Sequence, residues 1–271
     1  MSPWKGWATA APPRISVVIP ALNEARNLPY VAERIPSGID EIVFVDGRSV
    51  DDTAEVARRL WPDAIHITQT RSGKGNALAC GFEVASGDII VMIDADGSTD
   101  PGEIPDYVGA LVSGADFAKG SRFITGGGSA DITKIRRIGN WFLNAIVNLL
   151  FPCRYSDLCY GYNAFWRYCL DVMKLPASDL PEPQWGDGFE VETLINVRVA
   201  AGRLQVAEVA SYEAMRIHGV SNLNAVRDGL RVLKTIRREY FSLRRSTPRT
   251  PRRAAVYERH GHENPVSRTA G

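Results

Sequence analysis

The chain contains the stretch Ile89-Ile90-Val91-Met92-Ile93-Asp94-Ala95-Asp96-Gly97, an apolar run that ends in two aspartates and a glycine. A short continuous apolar run is typical of a strand that is buried on both faces of a parallel sheet. Two carboxylates at the end of such a strand cannot both stay ionised at low cost without a cation. Mg²⁺ and Mn²⁺ prefer a few carboxylates together with phosphate oxygens and water. The stretch therefore predicts a divalent-metal and diphosphate site at Asp94 and Asp96, although a DxD pattern alone is also compatible with an acidic surface turn.

The residues before this stretch alternate between strand and helix patterns. Predicted strands cover residues 15–19, 42–45, 64–68 and 88–93, and predicted helices cover 24–35, about 52–60 and 74–85. This alternation predicts βαβ units and a mostly parallel sheet, an α/β fold. Ligands bind at the carboxyl ends of the strands in such sheets. Polar or turn-forming residues follow three of these strands at that edge: Pro20 with Asn23 and Glu24, then Asp46, then Asp94 and Asp96.

The second half of the chain has a less regular pattern. It predicts helices over 132–151, 189–201 and 221–238, and a strand over 204–212. We therefore expect a flexible N-terminal arm over 1–14, one domain over 15–240 and a basic, disordered tail over 241–271.

Bulk properties exclude several classes of protein. The net charge of +1 over 271 residues is not that of a protein that coats nucleic acid. The four cysteines form no CxxC pair, residues 1–14 contain no apolar core of signal-peptide length, and no apolar stretch is long enough to span a bilayer. These features predict a cytoplasmic protein, soluble or peripheral. The segment from Lys234 to Arg259 contains nine basic residues and two glutamates. This excess of positive charge indicates either a solvated tail or contact with an anionic membrane surface.

The segment Arg71-Ser72-Gly73-Lys74-Gly75-Asn76 precedes a predicted helix, whose N-terminus could bind phosphate. It lacks the spacing of a P-loop, and no GxGxxG occurs in the chain. Lys74 is equally compatible with a surface position and with a ligand contact. Asp46 is interpreted as a ligand contact at the second strand, whereas Asp51 or Asp52 is expected to cap the next helix.

Six motifs in order resemble the family 2 glycosyltransferases of the GT-A fold, and most of all their dolichol- and polyprenol-phosphate mannosyltransferase and glucosyltransferase branch. These motifs are Pro20-Ala21-Leu22-Asn23-Glu24, the Asp46 turn, Gly73-Lys74-Gly75-Asn76-Ala77, Asp94-Ala95-Asp96-Gly97-Ser98, Gly120-Ser121-Arg122 and Arg216-Ile217-His218-Gly219-Val220-Ser221. The resemblance covers about residues 15–236. It implies a Rossmann-like sheet flanked by helices, with C-terminal helices on the acceptor side.

The resemblance also implies roles for individual residues. The residues that would hold the nucleotide sugar are Pro20, Glu24, Asp46, Lys74, Asp94, Ala95 and Asp96. The metal, Mg²⁺ or Mn²⁺, would lie at Asp94, Asp96 and Ser98, with Ser98 where the mannosyl branch often has Gln. The residues that would surround the diphosphate and an acceptor phosphate are Arg122, Arg136, Arg216 and Ser221. The implied catalytic set is Asp96, Arg122, Asp157 and Glu190.

The implied reaction is an inverting hexosyl transfer from GDP-mannose or UDP-glucose to a polyprenyl or dolichyl phosphate. A phosphate acceptor is already ionised and needs no base, whereas a hydroxyl acceptor needs a carboxylate, for which Asp187 and Glu190 are the candidates. The pattern departs from the family at Gly47-Arg48 after Asp46, which leaves open which nucleobase of the donor is preferred. No C-terminal membrane helices follow, and the basic tail with the apolar face of residues 141–150 is expected to replace them as a peripheral anchor. The alternatives are transfer to the hydroxyl of a soluble metabolite, a nucleotidyltransferase, and a non-catalytic nucleotide-sugar binding module.

Overall fold

The computed structural model describes residues 12–219 and 225–245. The strands are β1 Ile15–Ala21, β2 Glu41–Asp46, β3 Ile65–Thr68, β4 Ile89–Met92, β5 Phe117–Ser121, β6 Gly128–Ser129, β7 Asn163–Trp166, β8 Val206–Ala210 and β9 Tyr212–Glu213. The helices are α1 Leu28–Arg34, α2 Thr53–Leu60, α3 Lys74–Val84, α4 Ile104–Val112, α5 Lys134–Leu150, α6 Leu170–Met173, α7 Val191–Ala201 and α8 Ala225–Arg245. The predicted α/β class is confirmed.

The main sheet has seven strands in the order β3-β2-β1-β4-β7-β5-β8. All neighbouring pairs are parallel except those of β7, which runs antiparallel to both β4 and β5. The mostly parallel sheet is therefore confirmed. Strands β5 and β7 did not stand out in the sequence, because β5 contains Lys119 and two small polar or glycine positions, and β7 is only four residues long.

Two apolar clusters hold the chain together. The larger lies on both faces of the sheet, where β1 and β4 bury nearly all their side chains and β2 buries Val43, Phe44 and Val45. The smaller joins α5, α7 and α8 through Leu143, Val147, Val197, Val232 and Ile236. Helices α5, α7 and α8 thus pack together around this smaller cluster.

Helix α8 differs from its predicted bounds. It is described from Ala225 and continues to Arg245, so the predicted domain end at 240 falls inside a helix. The extension packs on the body of the protein: Glu239 pairs with Arg198 at 2.8 Å, and the ring of Tyr240 meets that of Phe151 edge-on. Residues 1–11 and 246–271 of the predicted arm and tail lie outside the described residues. None of the described helices combines the length and the apolar character needed to cross a bilayer.

Candidate active site

The carboxyl edge of the sheet brings the predicted donor residues together. In the β1–β2 register Pro20 lies beside Val45 and Ala21 beside Asp46, and β4 runs alongside β1 before it ends two residues from Asp94. Glu24 and Asp96 follow in the adjoining loops, and Ala95 is buried between the two aspartates. The sequence patterns of three separate strands therefore converge on one edge, as parallel pairing requires.

Asp94 is paired with a buried lysine. The Nζ atom of Lys74 lies 2.6 Å from Oδ1 of Asp94 and 2.7 Å from Oε1 of Glu192, and the lysine side chain is only 12% exposed. Burial lowers the pKa of this ammonium, but the two carboxylates outweigh burial and raise the pKa above its usual value. Burial raises the pKa of Glu192, and Lys74 opposes that rise. Lys74 is therefore an internal counterion of the site, and the surface alternative is wrong.

Asp96 is paired with an arginine from the far end of the chain. Arg216 places Nη2 2.9 Å from Oδ2 of Asp96 and donates from Nη1 to Glu24 at 2.8 Å. Burial raises the pKa of Glu24, although the hydrogen bond from Asn27 and the charge of Arg216 act in the opposite direction. Arg216 thus joins the loops after β1 and β4 across the cleft.

The segment that carries Arg216 lies directly over the aspartate loop. The amide of Ala214 donates to the carbonyl of Ser98 at 2.8 Å, and Asn27 exchanges two hydrogen bonds with the backbone of His218. A methyl group on Gly97 would come within 2.8 Å of Ile217. The backbone amide of Ser98 donates to Asp96 at 2.9 Å, which fixes the turn on which that carboxylate stands.

The donor set fits a divalent cation that is shared with a diphosphate. Asp94 and Asp96 offer hard carboxylate oxygens, which suit Mg²⁺ or Mn²⁺ when phosphate and water complete the shell. Within residues 12–219 and 225–245 no group of three or more His, Cys, Asp or Glu side chains gathers at one point. A cation there would therefore depend on oxygens of a bound ligand, and it would compete with Lys74 and Arg216 for the two carboxylates.

The glycines around Lys74 have a packing role instead of forming a phosphate cradle. The amides of Gly75 and Asn76 at the start of α3 donate to the carbonyl of Asp187, at 2.7 and 3.3 Å. A Cβ on Gly73 or Gly75 would overlap the backbone at Asp187 and Gly186. The amides of Gly75 and Asn76 are thus taken up by a backbone carbonyl, and the phosphate interpretation of this helix N-terminus stays a prediction that these two amides do not support.

Asp187 is held by Arg71 in a buried two-bond pair. Nε and Nη2 of Arg71 donate to its two carboxylate oxygens at 2.8 and 2.9 Å, and the amide of Gln184 adds a third bond. A carboxylate with both oxygens engaged is a poor proton acceptor. Glu190 differs: Oε1 accepts from the amide of Gly186, whereas Oε2 is buried without a hydrogen-bond partner among the described residues. Of the two base candidates, the geometry favours Glu190.

Arg122 and Asp157 form a second buried network. Arg122 donates from Nε and Nη2 to both oxygens of Asp157 and from Nη1 to Glu213 at 2.9 Å, and its side chain is 3% exposed. Its guanidinium also lies 4.8 Å from the centre of the Tyr160 ring. The structure therefore places Asp157 inside this network instead of leaving it free to face a sugar. Glu213, which the sequence patterns did not reveal, is 91 residues away from its partner.

A groove of about 180 Å³ lies between α5 and α8. Its apolar wall consists of Ile132, Ile135, Leu143, Phe189 and Val232. Its polar part includes Arg122, Arg136 and Glu192, and Arg136 is held by Asp131 at 2.8 Å. Because Glu192 also binds Lys74, two ion pairs connect the groove to Asp94. Ser221, the remaining predicted contact, lies outside the described residues.

Known sequences that are similar to this chain are glycosyltransferases. The sequence model of the family described as "Glycosyl transferase family 2" matches residues 16–171. An uncharacterised glycosyltransferase of Mycobacterium tuberculosis is 44% identical over 108 residues, which cover 40% of this chain and 48% of that protein. The match thus spans about half the length of that relative. The polyprenol monophosphomannose synthase of Mycolicibacterium smegmatis is 30% identical over 221 residues, with 78% of this chain and 81% of the relative covered.

Solved structures share the fold. The glucosyl-3-phosphoglycerate synthase of Mycobacterium tuberculosis, in complex with Mn²⁺, UDP-glucose and phosphoglyceric acid, superposes with a TM-score of 0.65 at 25% identity. The superposition covers 84% of this chain and 80% of the synthase. The GT-A fold implied by the sequence motifs is confirmed, and the chain belongs to glycosyltransferase family 2.

Proposed function

We propose that this protein transfers a hexosyl group, glucose or mannose, from UDP-glucose or GDP-mannose to a polyprenyl phosphate, with Mg²⁺ or Mn²⁺ at Asp94 and Asp96. The groove between α5 and α8 is the observation that carries the acceptor: its apolar side chains lie beside Arg122 and Arg136, and Glu192, which also lines it, is linked through Lys74 to Asp94. The polyprenol monophosphomannose synthase of Mycolicibacterium smegmatis supports the same acceptor class by its similarity.

On the donor side, the carboxylates at the carboxyl edge divide into two groups. Asp46, at the end of β2, is available to accept hydrogen bonds from the base or ribose, since among the described residues its side chain accepts only a 3.2 Å bond from the amide of Ser49. Asp94 and Asp96 would hold the cation, which supplies positive charge for the leaving diphosphate when bound. Lys74 and Arg216, once released from these carboxylates, would bind phosphate oxygens, because both cations already stand at the cleft.

On the acceptor side, a lipid phosphate would enter the groove with its chain against the apolar wall. Arg136 at the start of α5 stands in the groove and is half-buried, so its guanidinium can pair with a phosphate in a two-bond geometry. The phosphate is ionised at neutral pH, so no proton acceptor is required. Arg122 and Asp157 would act as positioning residues that fix the loop between β5 and α5.

The glucosyl-3-phosphoglycerate synthase supports a second candidate, transfer to the hydroxyl of a small phosphorylated metabolite. That reaction needs a base, and the unpartnered Oε2 of Glu190 would serve. The two candidates differ in whether the apolar wall of the groove is used.

A transfer assay with labelled UDP-glucose and GDP-mannose separates these functions. Polyprenyl phosphate in detergent and 3-phosphoglycerate are offered as acceptors, each with Mn²⁺, Mg²⁺ or a chelator. We expect metal-dependent product only with polyprenyl phosphate, and a loss on the order of 10²-fold in Asp96→Asn. Asp106→Asn, an exposed aspartate on α4, is the matched control and should act like the wild type.

Two outcomes would contradict the proposal. Product with 3-phosphoglycerate alone, lost in Glu190→Gln, would establish the second candidate. No transfer and no donor hydrolysis by the folded protein would favour a binding module.

A further inference from the structure

Arg71, in the turn between β3 and α3, uses all three nitrogens of a guanidinium that is only 5% exposed. Nε and Nη2 donate to the two carboxylate oxygens of Asp187. Nη1 donates to the backbone carbonyls of Ala177, Ser178 and Leu180, at 3.0, 3.1 and 2.7 Å. A lysine, with a single nitrogen, could not reach the carboxylate and these carbonyls together. The guanidinium therefore fixes a stretch of backbone in addition to one buried acid.

The backbone that this guanidinium holds leads directly into α7. In the segment 177–190, the amide of Gly186 donates to Oε1 of Glu190 at 3.1 Å, which closes the turn before the helix. Phe189, in that turn, lines the groove between α5 and α8. Glu192, in the first turn of α7, lines the same groove and binds Lys74. The position of the 177–190 segment thus sets where one wall of the groove begins.

Helix α8 contacts the same segment from another direction. The ring centre of Trp185 lies 5.1 Å from Nζ of Lys234 and 5.2 Å from Cζ of Arg238. Both cations are on exposed residues, where water weakens their attraction to the ring. The bonds from Arg71 are charge-assisted and buried, so they are the stronger of the two attachments.

The turn that carries Arg71 also borders the donor edge of the sheet. The amide of Gln69 donates to the backbone carbonyl of Asp46 at 3.0 Å, and the guanidinium of Arg48 donates to the carbonyl of Thr70. The hydroxyl of Thr70 donates in turn to the carbonyl of Ser178. A continuous set of hydrogen bonds therefore joins the end of β2 to the 177–190 segment.

We propose that Arg71 is a positioning residue that holds the groove wall of Phe189 and Glu192 at a fixed place relative to the donor carboxylates. The inference rests on the glycosyl transfer proposed above and applies to either acceptor, because both would enter this groove. Without the guanidinium, Asp187 stays buried without its cation and the three carbonyls lose their donor. Misplacement of the wall should slow transfer, whereas Asp46 ends a strand of its own and should still bind nucleotide.

The test compares Arg71→Lys with the wild type in steady-state transfer, using the labelled donors and both acceptors described above. We expect kcat/KM for the acceptor to fall on the order of 10²-fold, because lysine keeps the charge but loses the paired bonds that fix the segment. The Kd for UDP or GDP with Mn²⁺, measured by calorimetry, should stay within about twofold of the wild-type value. Arg58→Lys, on an exposed position of α2, is the matched control and should behave like the wild type.

Hydrogen exchange of the 177–190 amides gives a second readout that needs no acceptor. These amides should exchange faster in Arg71→Lys than in the wild type, while those of β1 and β4 stay protected. Thermal melting shows the temperature range in which the variant is folded, and all comparisons are made within it. A merely structural role would lower the melting temperature and leave the acceptor kcat/KM of the folded variant unchanged.

The proposal is overturned if Arg71→Lys keeps the acceptor kcat/KM of the wild type. It is also overturned if the nucleotide Kd rises in parallel with the loss of transfer while exchange in the 177–190 segment is unchanged, since Arg71 would then serve the donor alone. A wild type that transfers to neither acceptor contradicts the proposed function. In that case faster exchange with an unchanged nucleotide Kd supports the positioning role, and unchanged exchange refutes it.

Discussion

Replacing Lys74 with methionine removes the ammonium that lies between Asp94 and Glu192. The lysine and Glu192 are 12% and 14% exposed, and Asp94 is 32% exposed. Breaking a buried ion pair from one side costs about 3–5 kcal/mol, because the remaining charge stays buried without a partner. Water reaches Asp94 and screens part of this penalty. We therefore expect the free energy of unfolding to fall by about 3 kcal/mol, a factor of roughly 150 in the unfolding constant.

Urea unfolding in the presence of a chelator measures this change. Lys134→Met, an exposed lysine on α5, is the control and should stay within about 0.5 kcal/mol of the wild type. The double variant Lys74→Met/Glu192→Gln removes one of the two stranded charges, so it should recover at least about half of the loss.

Two results would refute this reasoning. One is a Lys74→Met variant within about 1 kcal/mol of the wild type, which would mean that the carboxylates do not need the lysine as a counterion. The other is a double variant that is no more stable than Lys74→Met. That result would mean that the stability is lost because the aliphatic part of the lysine no longer packs, and not because a carboxylate lacks its counterion.

Gly75→Ala should lower the free energy of unfolding by about 3 kcal/mol, because the added Cβ would overlap a backbone carbonyl that faces Gly75. Gly109 in α4 has open space around it, so Gly109→Ala should raise the free energy of unfolding by about 0.5–1 kcal/mol in the same urea assay. Arg122→Lys keeps the charge but loses the paired bonds to Asp157, so we expect a loss of about 3 kcal/mol, and a change below 1 kcal/mol would contradict the network. Burial raises the pKa of Glu41, but hydrogen bonds from two serines outweigh burial and hold it below 4.5. The contribution of ionised Glu41 to the stability of the fold is therefore present above pH 4.5 and is lost as pH falls through the folded-state pKa. In thermal melts below pH 4.5, the melting temperature of Glu41→Gln should fall less steeply with pH than that of the wild type.

Local patterns were sufficient for the donor half of the molecule. The apolar runs before Pro20, Asp46 and Asp94 each specify a strand by a few adjacent residues, and parallel pairing then places the ends of these strands at one edge. The same patterns located the two carboxylates without any knowledge of packing. They could not assign Lys74, because a lysine after a glycine looks the same at a surface and between two buried acids.

The contacts across the cleft required the folded chain. Arg216 and Glu24 are 192 residues apart, and Lys74 and Glu192 are 118 residues apart, so no local spacing connects them. The antiparallel strand β7 could not be predicted from local spacing either. Its four residues form a strand because they pair with β4 on one side and β5 on the other.

The sequence by itself determined the α/β class, the parallel strands β1 to β4, the carboxylate pair at the sheet edge and the family, because each depends on residues close together in the chain. The tertiary structure decided which charges neutralise those carboxylates, which acid keeps a free oxygen, and which face of α5 stays exposed. Those properties depend on burial and on partners brought together from distant segments. Periodicity shows that α5 is apolar, but only packing against α7 and α8 shows which apolar residues are left outside.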